Sequence, residues 1–135
     1  MLDNLIERIR AAHAEGSPLV IQGGGSKTFY GNADEGEVLS TRALAGVVDY
    51  QAKELVLTAR AGTPLAEIEA LLAEQNQMLA FEPPHFDGPA TLGGCIAAGL
   101  SGPRRPYAGA ARDFVLGVRM IDGTGQPLRF GGQVI

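Results

Sequence analysis

Three stretches carry residue types at spacings suited to binding an anion. In the first, Val20-Ile21-Gln22-Gly23-Gly24-Gly25-Ser26-Lys27-Thr28, three glycines, a hydroxyl and an ammonium follow a β-prone run. Glycines reach positive φ without steric cost, so successive backbone N–H groups can converge on one anion as a nest, with Ser26 and Lys27 adding a donor and a charge. A tight turn that merely needs glycine accounts for the same residues, and the sequence leaves both readings open. Two familiar phosphate motifs fail on spacing. A P-loop needs glycine before the lysine and again five residues earlier, where this chain has Ser26 and Ile21; a dinucleotide fingerprint beginning at Gly23 needs glycine at Thr28.

The second stretch is Thr91-Leu92-Gly93-Gly94, continuing to Ala97, Ala98 and Gly99. A helix starting here would present unpaired N–H groups and a partial positive charge to an anion. Each glycine costs a helix about 0.8–1 kcal/mol relative to alanine, so either a closely packed backbone or a large ligand must compensate. The third is Arg104-Arg105 beside Tyr107, where guanidinium groups suit carboxylate or phosphate; an anion or subunit contact and a solvated loop tip are equal readings. His85, close to Glu82 and Asp87, offers an acid/base pair or a metal ligand, but its proline-rich surroundings (Pro83, Pro84, Pro89) favour a solvated loop. The only cysteine, Cys95, is expected to be a packed thiol. With no C-x-x-C and no His pair, no structural zinc site is expected.

The elements that must hold these residues are legible. Leu2, Leu5, Ile6, Ile9 and Ala12 recur at helical spacing, with Asp3 placed as N-cap and Gly16 as the closing glycine. Leu19–Ile21 reads as a strand entering the glycine loop. Val38–Ser40, Val47–Tyr50 and Leu55–Ala59 read as three more strands. Thr63 as N-cap and Pro64 at the first helical position predict a helix through Leu65, Ile68, Leu71 and Leu72 to about Asn76. Thr91 then caps a short helix of small residues. Val115–Ile121 and Gln126–Phe130 are expected to pair through the hairpin turn Asp122-Gly123-Thr124-Gly125.

Composition bounds the function. The 135 residues make one domain the default, and 45% hydrophobic with 19% charged residues describes an ordinary globular chain. Glycine is the exception: 19 of 135 residues, about double the usual share of roughly 7%, without the Gly-X-Y period of collagen. A net charge of −4 with only two lysines, Lys27 and Lys53, argues against a nucleic-acid surface or an electrostatic membrane anchor. Charged residues interrupt the N-terminal apolar positions, so no signal peptide is read, and the uncharged Gly88–Pro103 stretch is too short to span a bilayer as a helix. A cytoplasmic protein is expected.

Two glycine-rich anion sites and a nearly uncharged stretch suit a ligand with a diphosphate and a flat apolar ring, which describes a flavin dinucleotide. The loop GGGSKTFYG, the segment PATLGGCIAAGLSGPRRPYAGAARDFVLGVRMIDGTG and the ending LRFGGQVI resemble the FAD-binding domain of the vanillyl-alcohol oxidase/p-cresol methylhydroxylase flavoproteins. Within that superfamily they are most like the FAD-binding subunits of bacterial glycolate oxidases. SGPRRPYAG is the most diagnostic part. The resemblance runs from about Leu19 to Ile135.

The resemblance implies an α+β, sandwich-like FAD-binding type-2 domain, incomplete at its C-terminus, with an N-terminal subdomain at 1–82, the start of a second at 83–135 and no cap or substrate domain. It implies that Gly23, Gly24, Gly25, Ser26 and Lys27 hold the FAD diphosphate, with Tyr30 and Gly31 completing the loop. Thr91, Leu92, Gly93 and Gly94 would form a second FAD contact. Ala98 and Gly99 would lie near the ring system, and Tyr107 to Gly109 near the flavin or its ribityl chain. Asp113 would begin the Asp-Phe-Val-Leu-Gly strand in a structural role. Family members that attach flavin covalently use a histidine in the first glycine loop; Ser26 and Lys27 stand there instead, so non-covalent FAD is expected. The implied activity is oxidation of a 2-hydroxy acid such as glycolate, in a complex with a second flavoprotein subunit and an iron–sulfur subunit, peripheral to the inner membrane through that complex. No catalytic base is assigned. The chain is expected to be a fragment or short homologue, inactive alone, whose uncovered sheet edge favours self-association. The competing readings are a non-catalytic assembly module and a generic anion-binding regulatory domain.

Overall fold

Helical periodicity at the start of the chain produces α1 (Leu2–Glu15), with Leu5 and Ala12 buried on its inner face. Gly16 ends it at φ 67°, and the Ser17 amide donates back to Ala12 O at 2.9 Å. The expected Asp3 cap is not used. The helix begins two residues earlier, with Met1 at the cap and no side-chain bond there, leaving Asp3 in the first turn where its charge complements the positive end of the helix dipole. In this computed structural model residues 1–26, 35–85, 88–99, 101–103 and 105–132 are described.

β1 (Leu19–Gln22) pairs in parallel with β2 (Glu37–Ser40), Leu19 facing Glu37 and Gln22 facing Ser40. Parallel strands need a crossover between them, and here that crossover contains the first glycine loop, which leaves the carboxyl end of β1. Arg8 of α1 ties the helix to β2, with Nη2 donating to Glu37 Oε1 at 2.9 Å and to Val38 O at 3.1 Å. Leu39 of β2 is buried.

β3 (Val47–Gln51) and β4 (Val56–Ala59) form an antiparallel pair around a 3-10 turn at Ala52–Glu54. Leu55, expected as the first residue of the strand, instead closes that turn at φ 59° and is exposed. α2 (Leu65–Ala73) buries Leu65, Ile68 and Leu72, and turns carry the chain on to Asn76. Its cap differs from expectation. Pro64 is the N-cap residue, and Thr63 is fully buried with its hydroxyl turned elsewhere: it accepts from the Gly46 amide at 2.9 Å and donates to Arg60 O at 2.7 Å. Those bonds anchor the segment before β3 to the start of α2, a use that local sequence cannot show.

α3 (Leu92–Ala98) follows the proline-rich connection. α4 (Arg105–Ala108) is a single turn that sequence patterning did not indicate. Asp113 does not begin a strand. It ends a 3-10 turn at Ala111–Asp113, where its Oδ2 accepts the Ala110 amide at 2.9 Å, so its structural role is that of a turn clasp. The strand starts at Gly117: β5 (Gly117–Ile121) and β6 (Pro127–Gly131) form the expected antiparallel hairpin, with Val118 facing Phe130 and Met120 facing Leu128. Asp122 organises the turn by accepting from Thr124 Oγ1 at 2.7 Å, Thr124 N at 2.9 Å and Gln126 N at 3.0 Å.

Among the described residues, the architecture is thus α+β, with three two-stranded sheets and four α-helical segments. The main core cluster joins Leu65, Phe81, Ala90, Cys95 and Ala111, with Leu79 and Leu92 packed against it. The Phe81 ring also meets Phe114, centroids 5.6 Å apart and tilted by 42°, within the range of favourable aromatic pairs. This cluster draws residues from both sides of position 82. Burial of Cys95 matches its reading as a packed thiol. No helix among the described residues is long and apolar enough to cross a membrane.

Candidate functional site

The two glycine-rich stretches, Gly23–Gly25 and Thr91–Gly94, meet in space. A side-chain carbon on Gly24 would sit 1.6 Å from Pro89 O, and one on Gly23 would sit 2.4 Å from Thr91 Oγ1. Neither position tolerates a Cβ, because the loop backbone presses directly on the 89–91 segment. That segment is itself fixed: Leu65 N donates to Ala90 O and Leu92 N to Thr63 O, each at 2.9 Å, so 63–65 and 90–92 are bridged antiparallel. The loop therefore rests on a platform built from the entry to α2 and the entry to α3.

On its other side the loop is gripped by Arg42. Its Nε donates to Gly23 O at 2.9 Å and its Nη2 to Gly24 O at 2.8 Å. Thr41, its neighbour, donates its amide to Gln22 O at 3.0 Å, aligning the exits of β1 and β2. Gly25 then takes φ 72°, the left-handed region that favours glycine. Ser26 is half-buried. Lys27, Tyr30 and Gly31 lie outside the described residues. Arg42 was not singled out from the sequence, where nothing distinguishes it from the other arginines.

At the second stretch Thr91 is the N-cap, its Oγ1 accepting the Gly94 amide at 3.2 Å. The expectation of unpaired N–H groups there is not met. Leu92 N donates to Thr63 O, Gly93 N to Ala61 O at 2.8 Å and Cys95 N to Thr91 O at 3.0 Å, so the first turn of α3 has its donors occupied. Gly93 is required by packing, since a Cβ would meet the Ala61 Cβ at 2.8 Å and its carbonyl oxygen at 2.9 Å. Thr91 is itself buried. Two of the four residues 91–94 are glycines, and the segment lies beside the first loop.

Ala98 and Gly99 lie at the far end of α3, with Gly99 exposed at φ 66°. A cleft of about 460 Å³ opens there, lined by Ile96, Gly99, Arg105, Arg112 and Val115. Tyr107 on α4 is 95% exposed, and Gly109 turns at φ 104° against Asp113 Oδ2. The predicted residues therefore form two groups, one at each end of a seven-residue helix about 10 Å long. Arg104 lies outside the described residues. His85 is not free in solvent as expected: its Nε2 lies 2.8 Å from Glu69 Oε1 of α2, which pins the proline-rich connection to that helix. Among the described residues no cluster of three His, Cys, Asp or Glu side chains could hold a metal.

A flavin dinucleotide fits the first group on one structural observation. In a trans peptide the N–H points opposite to the C=O, so carbonyls of Gly23 and Gly24 turned onto Arg42 leave the amides of Gly24 and Gly25 directed away from it. No backbone carbonyl among the described residues accepts from either amide.

Comparison with known proteins agrees with this picture. The family model of the FAD binding domain matches residues 2–131. Glycolate oxidase subunit GlcE of Escherichia coli (strain K12) is 53% identical over 131 residues, which is 97% of this chain and 37% of that protein. D-2-hydroxyglutarate dehydrogenase of Xanthomonas citri pv. viticola is 30% identical over 94% of this chain and 27% of its own length. The chain thus spans roughly a third of the curated relatives it matches. Among solved structures, an alkyldihydroxyacetonephosphate synthase superposes with a TM-score of 0.74 at 24% identity over 98% of this chain and 25% of its own. Phl p 4.0202, a glucose dehydrogenase, superposes at 0.77 and 14% over 96% of this chain and 27% of its own. These neighbours establish the FAD-binding type-2 fold.

Proposed function

Because the chain belongs to the FAD-binding domain family, we propose that it holds FAD non-covalently as part of a subunit of a glycolate oxidase-like complex that oxidises 2-hydroxy acids, glycolate to glyoxylate being the leading case. The observation that carries this reading is the 53% identity to a glycolate oxidase subunit along nearly the whole chain, supported by the meeting of the two glycine-rich segments. Gly23, Gly24, Gly25, Ser26 and Lys27 would hold the diphosphate, with Tyr30 and Gly31 completing the loop. Thr91 to Gly94 would lie beneath the cofactor as a side-chain-poor floor. Ala98, Gly99, Tyr107 and Gly109, at the other end of α3, would approach the ring system or the ribityl chain. We read residues 1–82 and 83–135 as the two parts between which the cofactor lies.

Bound FAD supplies the two-electron acceptor; the chain supplies its position and electrostatics. The stretch from Gly23 to Gly31 contains no histidine, which supports non-covalent binding there. A second flavoprotein subunit and an iron–sulfur subunit are the proposed partners, and membrane association would come through them. The test is a visible spectrum of the purified chain before and after FAD addition and desalting, followed by acid precipitation. Retained flavin absorbance that acid releases to the supernatant is expected. No retention at high FAD overturns cofactor binding by this chain and favours the assembly-module reading.

A further inference from the structure

We infer that Arg42 is a positioning residue that sets the diphosphate-binding amides of the first glycine loop, an inference that rests on the FAD reading. The guanidinium fork bonds two successive carbonyls, Gly23 O at 2.9 Å and Gly24 O at 2.8 Å. A loop of three glycines has unusually many backbone conformations available, and ordering it is entropically costly. Two bonds from one planar group fix two adjacent peptide planes together, which a single contact cannot do.

The orientation follows from the peptide unit. With both carbonyls turned onto Arg42, the Gly24 and Gly25 amides project from the opposite side of the loop. Gly25 at φ 72° bends the backbone between them and the next residue. The positive guanidinium also polarises each peptide it bonds, so the amides become stronger donors. Finally, the charge stands behind the loop without occupying the face offered to an anion. Pro89 and Thr91 close the loop's flank, because a Cβ at Gly24 or Gly23 would collide with them. Arg42 itself is exposed, and among the described residues its guanidinium bonds backbone carbonyls, which separates its role from that of a core residue.

The test titrates FAD into the full chain and into its Arg42→Met and Arg42→Lys variants, records the melting curve of each flavin-free protein, and follows Gly24 and Gly25 amide resonances as inorganic pyrophosphate is added. Arg42→Met is expected to loosen FAD by roughly tenfold or more while the flavin-free protein still unfolds cooperatively, and to abolish the response of both amides to pyrophosphate. Arg42→Lys keeps the charge but loses the fork, so its affinity should fall between the two. Unchanged FAD affinity in Arg42→Met overturns the inference, as does a pyrophosphate response that persists there. If Arg42→Met fails to fold, the wild-type titration decides: silent Gly24 and Gly25 amides in a chain that binds FAD refute the positioning role and leave the FAD reading standing. A wild-type chain that takes up no FAD overturns both.

Discussion

Gly24→Ala is expected to be among the most destabilising single-methyl additions in this fold. The new Cβ would lie 1.6 Å from Pro89 O, 2.5 Å from Pro89 C and 3.3 Å from Ala90 N. Ordinary contact begins near 3.4 Å, so the loop and the 89–91 segment must separate by about 1.8 Å, the difference between 3.4 and 1.6 Å. The obstruction is backbone, which cannot rotate aside. Overpacking of this kind costs about 1–3 kcal/mol. Moving Pro89 and Ala90 also strains the bonds from Leu65 N to Ala90 O and from Leu92 N to Thr63 O, each worth about 1 kcal/mol net. Against this, alanine restricts the unfolded chain and returns about 0.4–1 kcal/mol.

The balance is about 3 kcal/mol, or a fall of roughly 10 °C in melting temperature for a domain of this size. Urea denaturation followed by far-ultraviolet circular dichroism is the suitable assay, since the chain has no tryptophan. Gly99→Ala is the control: its Cβ meets nothing within 4 Å, and its φ of +66° predicts a cost of only about 1 kcal/mol. Equal midpoints for the two variants would refute the packing argument. Substitution at Gly24 is consequently a poor probe of cofactor contact, because loss of FAD would follow from loss of the platform.

Thr63→Val should cost about 1–3 kcal/mol by leaving the Gly46 amide without its acceptor, while Thr63→Ser retains most of the stability; urea midpoints that rank the two variants alike would count against this. Thr91→Val removes the α3 cap and should cost about 1 kcal/mol, restored in large part by Thr91→Ser; thermal melts of the two variants check it. Asp122 has its carboxyl held below the usual value, chiefly by the Thr124 hydroxyl and then by the Gln126 amide. A lowered folded pKa stabilises above the unfolded value of about 4 and is lost as pH falls through the folded value. Asp122→Asn should therefore be less stable than the parent at pH 7, with the gap closing under acid; a gap that is constant with pH would contradict the assignment.

Periodic and punctuating residues made most elements legible. Leu5 and Ala12 marked the buried face of α1 and Gly16 its end, Thr91 marked the start of α3, and Asp122-Gly123-Thr124-Gly125 marked the hairpin. Cap positions failed where a hydroxyl had a better partner at long range: Thr63 looks like a cap beside Pro64, but its oxygen bonds Gly46, 17 residues away. Asp113 failed differently: the family resemblance implied that it begins a strand, while its carboxylate clasps the Ala110 amide. At the site, the glycines were visible and Arg42 was not. A side chain that bonds two carbonyls through tertiary approach leaves no local pattern in the sequence.

Under the proposed FAD reading, two alternatives that the sequence posed become compatible. Glycine at the first loop was open to two explanations, a turn that needs small residues and a cradle for an anion. Gly24 faces Pro89 on the side where a side chain would project, and its carbonyl faces Arg42; the amides of Gly24 and Gly25 point to neither. On that reading, packing and binding draw on different directions around the same short stretch of backbone, and only a residue without a Cβ leaves all of them available. The α3 start shows the contrasting case. Its amides are consumed by Thr63, Ala61 and Thr91, so Gly93 answers to packing, and in the proposed reading anion recognition falls to the loop that Arg42 holds.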